Sequence, residues 1–178
     1  MIVRPLRDTD DLCEVSGIYE SSWRYAYKGI VPQEFLDSIP KGKWVRHSSR
    51  EDMHHIVLEE AGRLIGTASY CSSRWEEFSG WGELVSIYLL PEYIGSGRGE
   101  LLLEEALRGL AACGYDRVML WVLEENRPAR HFYEKHRFSC AGIYLEDEIG
   151  GKPLREVAYT HLIEKLGDAA DPTVVNKL

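Results

Sequence analysis

Three glycines at alternate positions, Gly95, Gly97 and Gly99, stand between a strand-like run ending at Leu89-Leu90 and a helix-like run that begins near Arg98. Glycine lets a backbone approach a ligand closely. A loop that opens a helix also aims unpaired N–H groups and the positive end of the helix dipole at one point. The chemistry such a loop suits is phosphate binding. Downstream, Leu120-Trp121-Val122-Leu123-Glu124-Glu125-Asn126 leads into Pro128-Ala129-Arg130-His131-Phe132-Tyr133. Asn126 and Tyr133 are seven residues apart, nearly two helical turns, so together with Arg130 they share one helix face and can address one ligand. Taken singly, each has a plainer role, Asn126 as a helix cap and Tyr133 as a core aromatic with a hydrogen-bonded hydroxyl.

Two familiar glycine motifs do not fit. The phosphate loop of nucleotide hydrolases places Lys-Ser or Lys-Thr after its last glycine, whereas this chain continues Arg98-Gly99-Glu100-Leu101. The dinucleotide fingerprint GxGxxG is met by Gly95 and Gly97 but has Glu100 at its third position. It also expects its first glycine straight off the strand, where Pro91-Glu92-Tyr93-Ile94 intervenes here.

The elements that must position these residues follow from periodicity. A strand over 2–6 leads to a helix over 8–27, capped by Asp8 or Thr9 and striped by Leu12, Val15, Ile18, Tyr19 and Trp23. After Gly29, Pro32 starts a second helix with Phe35, Leu36 and Ile39, and a third short helix is expected around Trp44. Strands at 55–58 and 64–70 form a hairpin through Glu60-Ala61-Gly62-Arg63, and 72–81 is a polar and aromatic loop. A strand from Glu83 to Leu90 is stopped by Pro91. A helix over 97–113 is ended by Gly114, and the nearly continuous apolar run 118–123 reads as a central strand covered on both faces. A helix over 127–136 and strands near 138–145 and 154–161, turned at Gly150-Gly151, complete residues 1–166; a frayed tail is expected over 167–178.

At 178 residues the chain has room for one domain with a substantial core. A net charge of −8 argues against a nucleic-acid or anionic-membrane surface, because phosphate neutralisation needs clustered Lys and Arg. An acidic body suits a cationic small substrate. The four cysteines are widely spaced, and no His, Cys and carboxylate cluster has ligand spacing, so neither a metal nor a disulfide framework is expected. The N-terminus lacks an apolar leader and no stretch approaches the length of a membrane span, which makes a cytoplasmic location the expectation.

The loop Ile94-Gly95-Ser96-Gly97-Arg98-Gly99, with the strand before it, resembles the acyl-coenzyme A signature Q/R-G-x-G-x-G/A of the GNAT superfamily of N-acetyltransferases. The pattern N-x-x-A-x-x-x-Y-x-x-x-x-F is met by Asn126, Ala129, Tyr133 and Phe138, and the resemblance spans residues from about 2 to 161. It implies a single-domain α/β (α+β) fold: a mixed, mostly antiparallel twisted sheet of about six or seven strands, flanked by about four or five helices, with splayed parallel central strands. The implied co-substrate is acetyl-coenzyme A (acetyl-CoA), and the implied reaction is acetyl transfer to the primary amine of a small molecule or peptide. By the same resemblance the main chain of Ile87 and Leu89 holds the pantetheine arm, and Gly95, Gly97, Arg98 and Gly99 hold the diphosphate. Asn126 hydrogen-bonds the arm and Tyr133 gives a proton to the departing thiolate.

The chain departs from the pattern at Ile94, where the family carries Gln or Arg, and at Arg137, where glycine is common before the phenylalanine. Arg98, at a position often apolar, either pairs phosphate or points to water. Glu83, at the start of the same strand, is either the general base or an exposed strand-end carboxylate, with Glu76 and Glu77 as lesser candidates. Ser22 to Pro32 resembles a stretch of bacterial small-molecule acetyltransferases, and Trp23, Tyr27 and Trp81 are candidate walls of an acceptor pocket, with Trp23 equally suited to the core. The closing strand pair offers an edge for a homodimer. A reading of another class is a non-catalytic acyl-CoA-binding sensor or scaffold.

Overall fold

Segments with period-two alternation and Gly-rich turns pair with their sequence neighbours, and the one apolar strand that follows a helix must cross over to lie parallel. The computed structural model, which describes residues 1–45 and 50–163, follows this rule. Its strands are β1 (Ile2–Pro5), β2 (His54–Glu60), β3 (Arg63–Ser72), β4 (Gly82–Leu89), β5 (Arg117–Leu123), β6 (Ser139–Ile149) and β7 (Lys152–Leu162). They form one seven-stranded sheet in the order β1-β2-β3-β4-β5-β7-β6, in which β4 and β5 are parallel and every other pair is antiparallel. The helices are α1 (Leu12–Ala26), α2 (Gln33–Ser38), α3 (Arg98–Ala112) and α4 (Arg127–Lys135).

One face of the sheet carries α3 and α4. A Cβ on Gly66 of β3 would stand 2.9 Å from Leu102 of α3, and Tyr159 of β7 bonds Arg130 and Glu134 of α4. The other face carries α1 and α2: Tyr19 and Trp23 of α1 bond Ser86 and Tyr88 of β4, and Phe35 of α2 closes on Gly150 at the β6–β7 turn. The main core, with Val15, Ile18, Ile65, Leu102, Leu103 and Leu120 buried, lies among α1, the sheet and α3.

Three local expectations need correction. Helix α1 starts at Leu12, capped by Asp11, whose side chain accepts from the Cys13 N–H at 2.8 Å. The segment before it is consumed otherwise, because Arg4 holds Asp10 through two bonds of 2.7 and 2.8 Å. The helix expected around Trp44 is a run of turns over 41–44, and 46–49 lie outside the described residues, as do the expected domain end at 166 and the tail 167–178. The last hairpin is longer than its apolar pattern suggests. Gly150 and Gly151 both have positive φ and form a two-residue turn, and β6 is an exposed edge strand that needs no apolar face.

The β2–β3 turn uses Ala61 (φ +51°) and Gly62 (φ +79°) between the paired Glu60 and Arg63. Both positions demand positive φ, which alanine adopts at a cost of about 1 kcal/mol and asparagine tolerates better. Ala61→Asn is therefore expected to raise the thermal midpoint by roughly 2–4 °C in calorimetry, given the entropy of unfolding of a chain this size. An unchanged or lower midpoint would contradict the turn assignment.

Candidate active site

The site begins where the sheet opens. Parallel strands β4 and β5 are in register only at Gly82↔Val118 and Glu83↔Met119, and beyond Glu83 they diverge. Across the opposite edge of β4, the Leu90 N–H donates to the Ile65 carbonyl at 2.9 Å, which fixes the phase of the antiparallel ladder. Ser86, Tyr88 and Leu90 thus turn their main-chain groups toward β3, and Ile87 and Leu89 turn theirs into the opening. The Leu89 carbonyl there accepts from Ser22 Oγ of α1, and Ser22 is buried. What Leu89 leaves free on that side is its N–H.

Beyond β4 a 3-10 turn, Pro91–Tyr93, leads into the glycine loop. Gly95 (φ +78°) and Gly97 (φ +81°) both adopt the left-handed conformation, and a Cβ at either would meet nothing within 4 Å. Glycine is required here by backbone shape, and the space over the loop is open. Gly97 is also the N-cap of α3, so no side chain satisfies the first-turn N–H groups; that of Glu100 bonds the Gly97 carbonyl, and those of Arg98 and Gly99 remain available to an anion. The donors, the open space and the unpaired β4 main chain together fit a diphosphate with an extended amide-bearing arm.

Arg98 is only partly exposed and is already engaged by a carboxylate. It bonds both carboxylate oxygens of Glu60 at 2.7 and 2.9 Å, lies 5.0 Å over the Tyr93 ring, and has its Nε sealed without a partner. Ile94 is 47% exposed, so its side chain supplies no polar contact to the loop.

Asn126 is the N-cap of α4, its Oδ1 accepting from the Ala129 N–H at 3.3 Å, so its carboxamide oxygen is already committed. Arg130, on the same helix face, is bound to Tyr159 Oη at 3.0 Å and the Glu124 carbonyl at 3.1 Å; it braces the scaffold. Tyr133 is 8% exposed, packs its ring against Phe132 and Phe138, and makes no hydrogen bond among the described residues. Its Oη is not among the unpartnered side-chain atoms sealed from solvent, so it keeps some contact with solvent. Burial, with Tyr88 beside it, pushes the phenol well above its ordinary value. The hydroxyl therefore stays protonated throughout the physiological range.

From the opposite face, Trp23 Nε1 donates to Tyr88 Oη at 3.1 Å, and Tyr27 Oη lies 3.5 Å from Tyr88 Oη. Burial pushes the Tyr27 phenol up to about 12, and both Tyr27 and Tyr88 lie within electrostatic reach of Tyr133. The splay therefore joins a protonated phenol from the α4 side to an aromatic wall from the α1 side. Two of the three expected wall residues, Trp23 and Tyr27, meet there. Trp81 does not: it sits at the start of β4 against Phe78 and Arg117, about seven strand positions (~23 Å) from Tyr88.

Glu83 is neither an exposed carboxylate nor a free base. It is 2% exposed and receives Arg74 Nη2 at 2.6 Å, Arg74 Nε and N–H each at 3.0 Å, and Trp75 Nε1 at 3.4 Å. With its oxygens so occupied, its role is to tie the 73–81 loop to the last paired residue of the splay. Sequence reading also overlooked Tyr88, although its place in the alternation, two residues from Ser86 toward the glycine loop, puts it on the α1 face.

The model of the acetyltransferase (GNAT) family matches residues 15–138. The chain belongs to the GNAT family. Acetyl-CoA-dependent N-acetyl transfer is the chemistry of the group. Among GNAT relatives, an uncharacterised N-acetyltransferase of Bacillus subtilis, YuaI, is 29% identical over 78% of this chain and 85% of its own. The spermidine N(1)-acetyltransferase of Thermoplasma acidophilum is 26% identical over 86% of this chain and 93% of its own. A crystal structure of the PaiA N-acetyltransferase of Thermoplasma acidophilum, in complex with coenzyme A, superposes with a TM-score of 0.65 at 26% identity, covering 88% of this chain and 98% of that one. No helix among the described residues is long and apolar enough to cross a membrane, and no group of metal-ligating side chains occurs among them.

Proposed function

We propose that this GNAT enzyme moves the acetyl group of acetyl-CoA to a primary amine of a small molecule or peptide, with the glycine loop and the open edge of β4 as the coenzyme site. The observation that carries this is the protonated, unpartnered Tyr133 hydroxyl at the splay of β4 and β5. Acetyl-CoA supplies an activated acyl group. Gly95, Gly97 and Gly99 main chain, with the α3 N-terminus, bind the diphosphate, and Ile87 and Leu89 main chain hold the arm. Asn126 orients α4 through its cap and keeps its amide hydrogens for the arm. Tyr133 supplies the proton that a leaving thiolate needs. Trp23, Tyr27 and Tyr88 form the acceptor wall. The spermidine acetyltransferase among the relatives makes polyamines the first acceptors to assay.

Isothermal titration is expected to show acetyl-CoA binding, and a thiol-release assay over an amine panel is expected to show turnover. Gly97→Val forces a β-branched residue to φ +81° and is expected to weaken acetyl-CoA binding about tenfold or more. No binding by the unmodified protein would sink the proposal. A sensor without turnover gains from one observation, Ile94 with no polar contact to offer, and it predicts binding with no thiol release from any amine.

A further inference from the structure

The carboxylates that lie against or within the described core have donors. Asp10 and Glu59 have Arg4, Glu20 has Ser16 and the Gly42 N–H, Glu60 has Arg98, and Glu83 has Arg74. Glu156 differs. It lies on β7, an interior strand, paired in register with Leu123 of β5 on one side and Leu145 of β6 on the other. Its neighbours along the same face of β7, Leu154 and Ala158, are 3% and 0% exposed. Glu156 itself is half-buried in this apolar row, yet it makes no hydrogen bond and no ion pair among the described residues. A charge so placed is costly unless it is paired, which makes Glu156 a candidate to receive an incoming cation.

The face is the acceptor face. Residues paired directly across an antiparallel ladder point to the same side, so Glu156 shares its side with Leu123 and, by alternation, with Trp121 and Ala158. Trp121 packs against Trp75, next to Arg74, and Leu123 and Leu154 pack in the cluster that also contacts Trp23 and Tyr27. Among the described residues, Tyr27 from the end of α1, Arg74 from the loop after β3 and Asp147 from β6 interact electrostatically with Glu156, while Lys152, on the same face of β7, is held by the Ile30 carbonyl and Glu125. Arg74 is held by Glu83 and forms no ion pair with Glu156. Tyr27 in turn connects, through Tyr88, to the Tyr133 side of the splay.

We infer that Glu156 is the acceptor-side carboxylate of the site: it draws in the acceptor as an alkylammonium and takes the proton that the amine must lose before attack. This rests on the acetyl-transfer reading above. In the step, one N–H bond of the ammonium breaks, its electron pair stays on nitrogen as the nucleophile, and the proton forms an O–H bond on Glu156. The acceptor class that follows is a primary amine on an apolar chain without a neighbouring carboxylate, since an anionic group beside the amine would meet both Glu156 and Asp147. Burial, and Asp147 beside it, raise the Glu156 carboxyl above its ordinary value, while Arg74 opposes this. A raised value brings a carboxylate closer to the basicity that proton abstraction near neutral pH needs.

The test compares the full chain with Glu156→Gln and Glu156→Asp, using cadaverine, spermidine and leucine amide as acceptors and glutamate as the anionic control. Glu156→Gln is expected to lose about 100-fold in kcat/KM for the three cationic amines near neutral pH. Its acetyl-CoA affinity should stay within about twofold and its thermal midpoint should be no lower than that of the unmodified protein, because a lone half-buried charge has gone. Its pH profile should lose the limb set by the carboxylate and rise with the free-amine fraction alone, and Glu156→Asp should recover part of the rate. Turnover by Glu156→Gln within about threefold of the unmodified enzyme, with the same pH profile, would overturn the inference and leave the acetyl-transfer reading standing. Loss of acetyl-CoA binding or a lowered midpoint in Glu156→Gln would overturn it in favour of a structural role. An unmodified protein that bound acetyl-CoA but turned over none of the three cationic amines would overturn the inference alone, and one that bound no acetyl-CoA would defeat both.

Discussion

Tyr133→Phe is expected to lower kcat about 100-fold, the usual contribution of a positioned proton donor, while acetyl-CoA binding stays within about twofold. The ring is the part of Tyr133 that packs against Phe132 and Phe138, and phenylalanine keeps it, so the fold should be unaffected. The hydroxyl bonds no described residue, so its removal leaves no buried group unpaired. The pH dependence sharpens the test. Because burial raises the phenol above its ordinary value, Tyr133 remains protonated as pH rises, and no fall in rate from its ionisation should appear below about pH 10. Stopped-flow or steady-state thiol release in the two proteins, with calorimetry of acetyl-CoA, measures all three quantities. Full turnover by Tyr133→Phe would remove the residue from the chemistry.

The second large effect concerns stability. Arg74→Ala strips both guanidinium contacts from a carboxylate that is 2% exposed, leaving it a buried charge held only by the residue-74 main-chain N–H and, at 3.4 Å, Trp75 Nε1. Removing one partner of such a pair costs about 3–5 kcal/mol; the lower end applies because Arg74 is 40% exposed and partly screened. A loss of about 3 kcal/mol corresponds to a midpoint roughly 6–12 °C lower. The double variant Arg74→Met/Glu83→Leu should regain most of it, since an apolar pair of similar volume carries no desolvation cost. Glu83→Gln separates this role from catalysis: assayed well below its midpoint, it is expected to keep turnover within about threefold. A loss of 100-fold or more in that variant would restore Glu83 as the base.

Much of the scaffold was legible in the chain because it depends on local rules. The apolar stripe of α1, the Gly62 turn, the Pro91 stop and the continuous apolar run of β5 each encode one element, and sequence neighbours pair as expected. The long β6–β7 hairpin was harder to read because β6 buries almost nothing and so carries no alternation. Helix α1 began later than its periodicity allowed because Asp10 was claimed by Arg4 of β1.

The chain by itself determined the GNAT membership, the positive-φ glycines of the loop and the presence of a tyrosine at the right spacing from Asn126. These are properties of backbone conformation and helical period, which local sequence sets. Which polar groups were still free was settled only by tertiary structure. Arg98 is taken by Glu60, Asn126 Oδ1 by Ala129, Arg130 by Tyr159 and Glu83 by Arg74, while Tyr133 and Glu156 have no such partner among the described residues. The physical reason is that a side chain's availability depends on what the rest of the fold brings within hydrogen-bonding distance. Two carboxylates alike in sequence, Glu83 and Glu156, end up one locked and one open because a loop arginine reaches only the first.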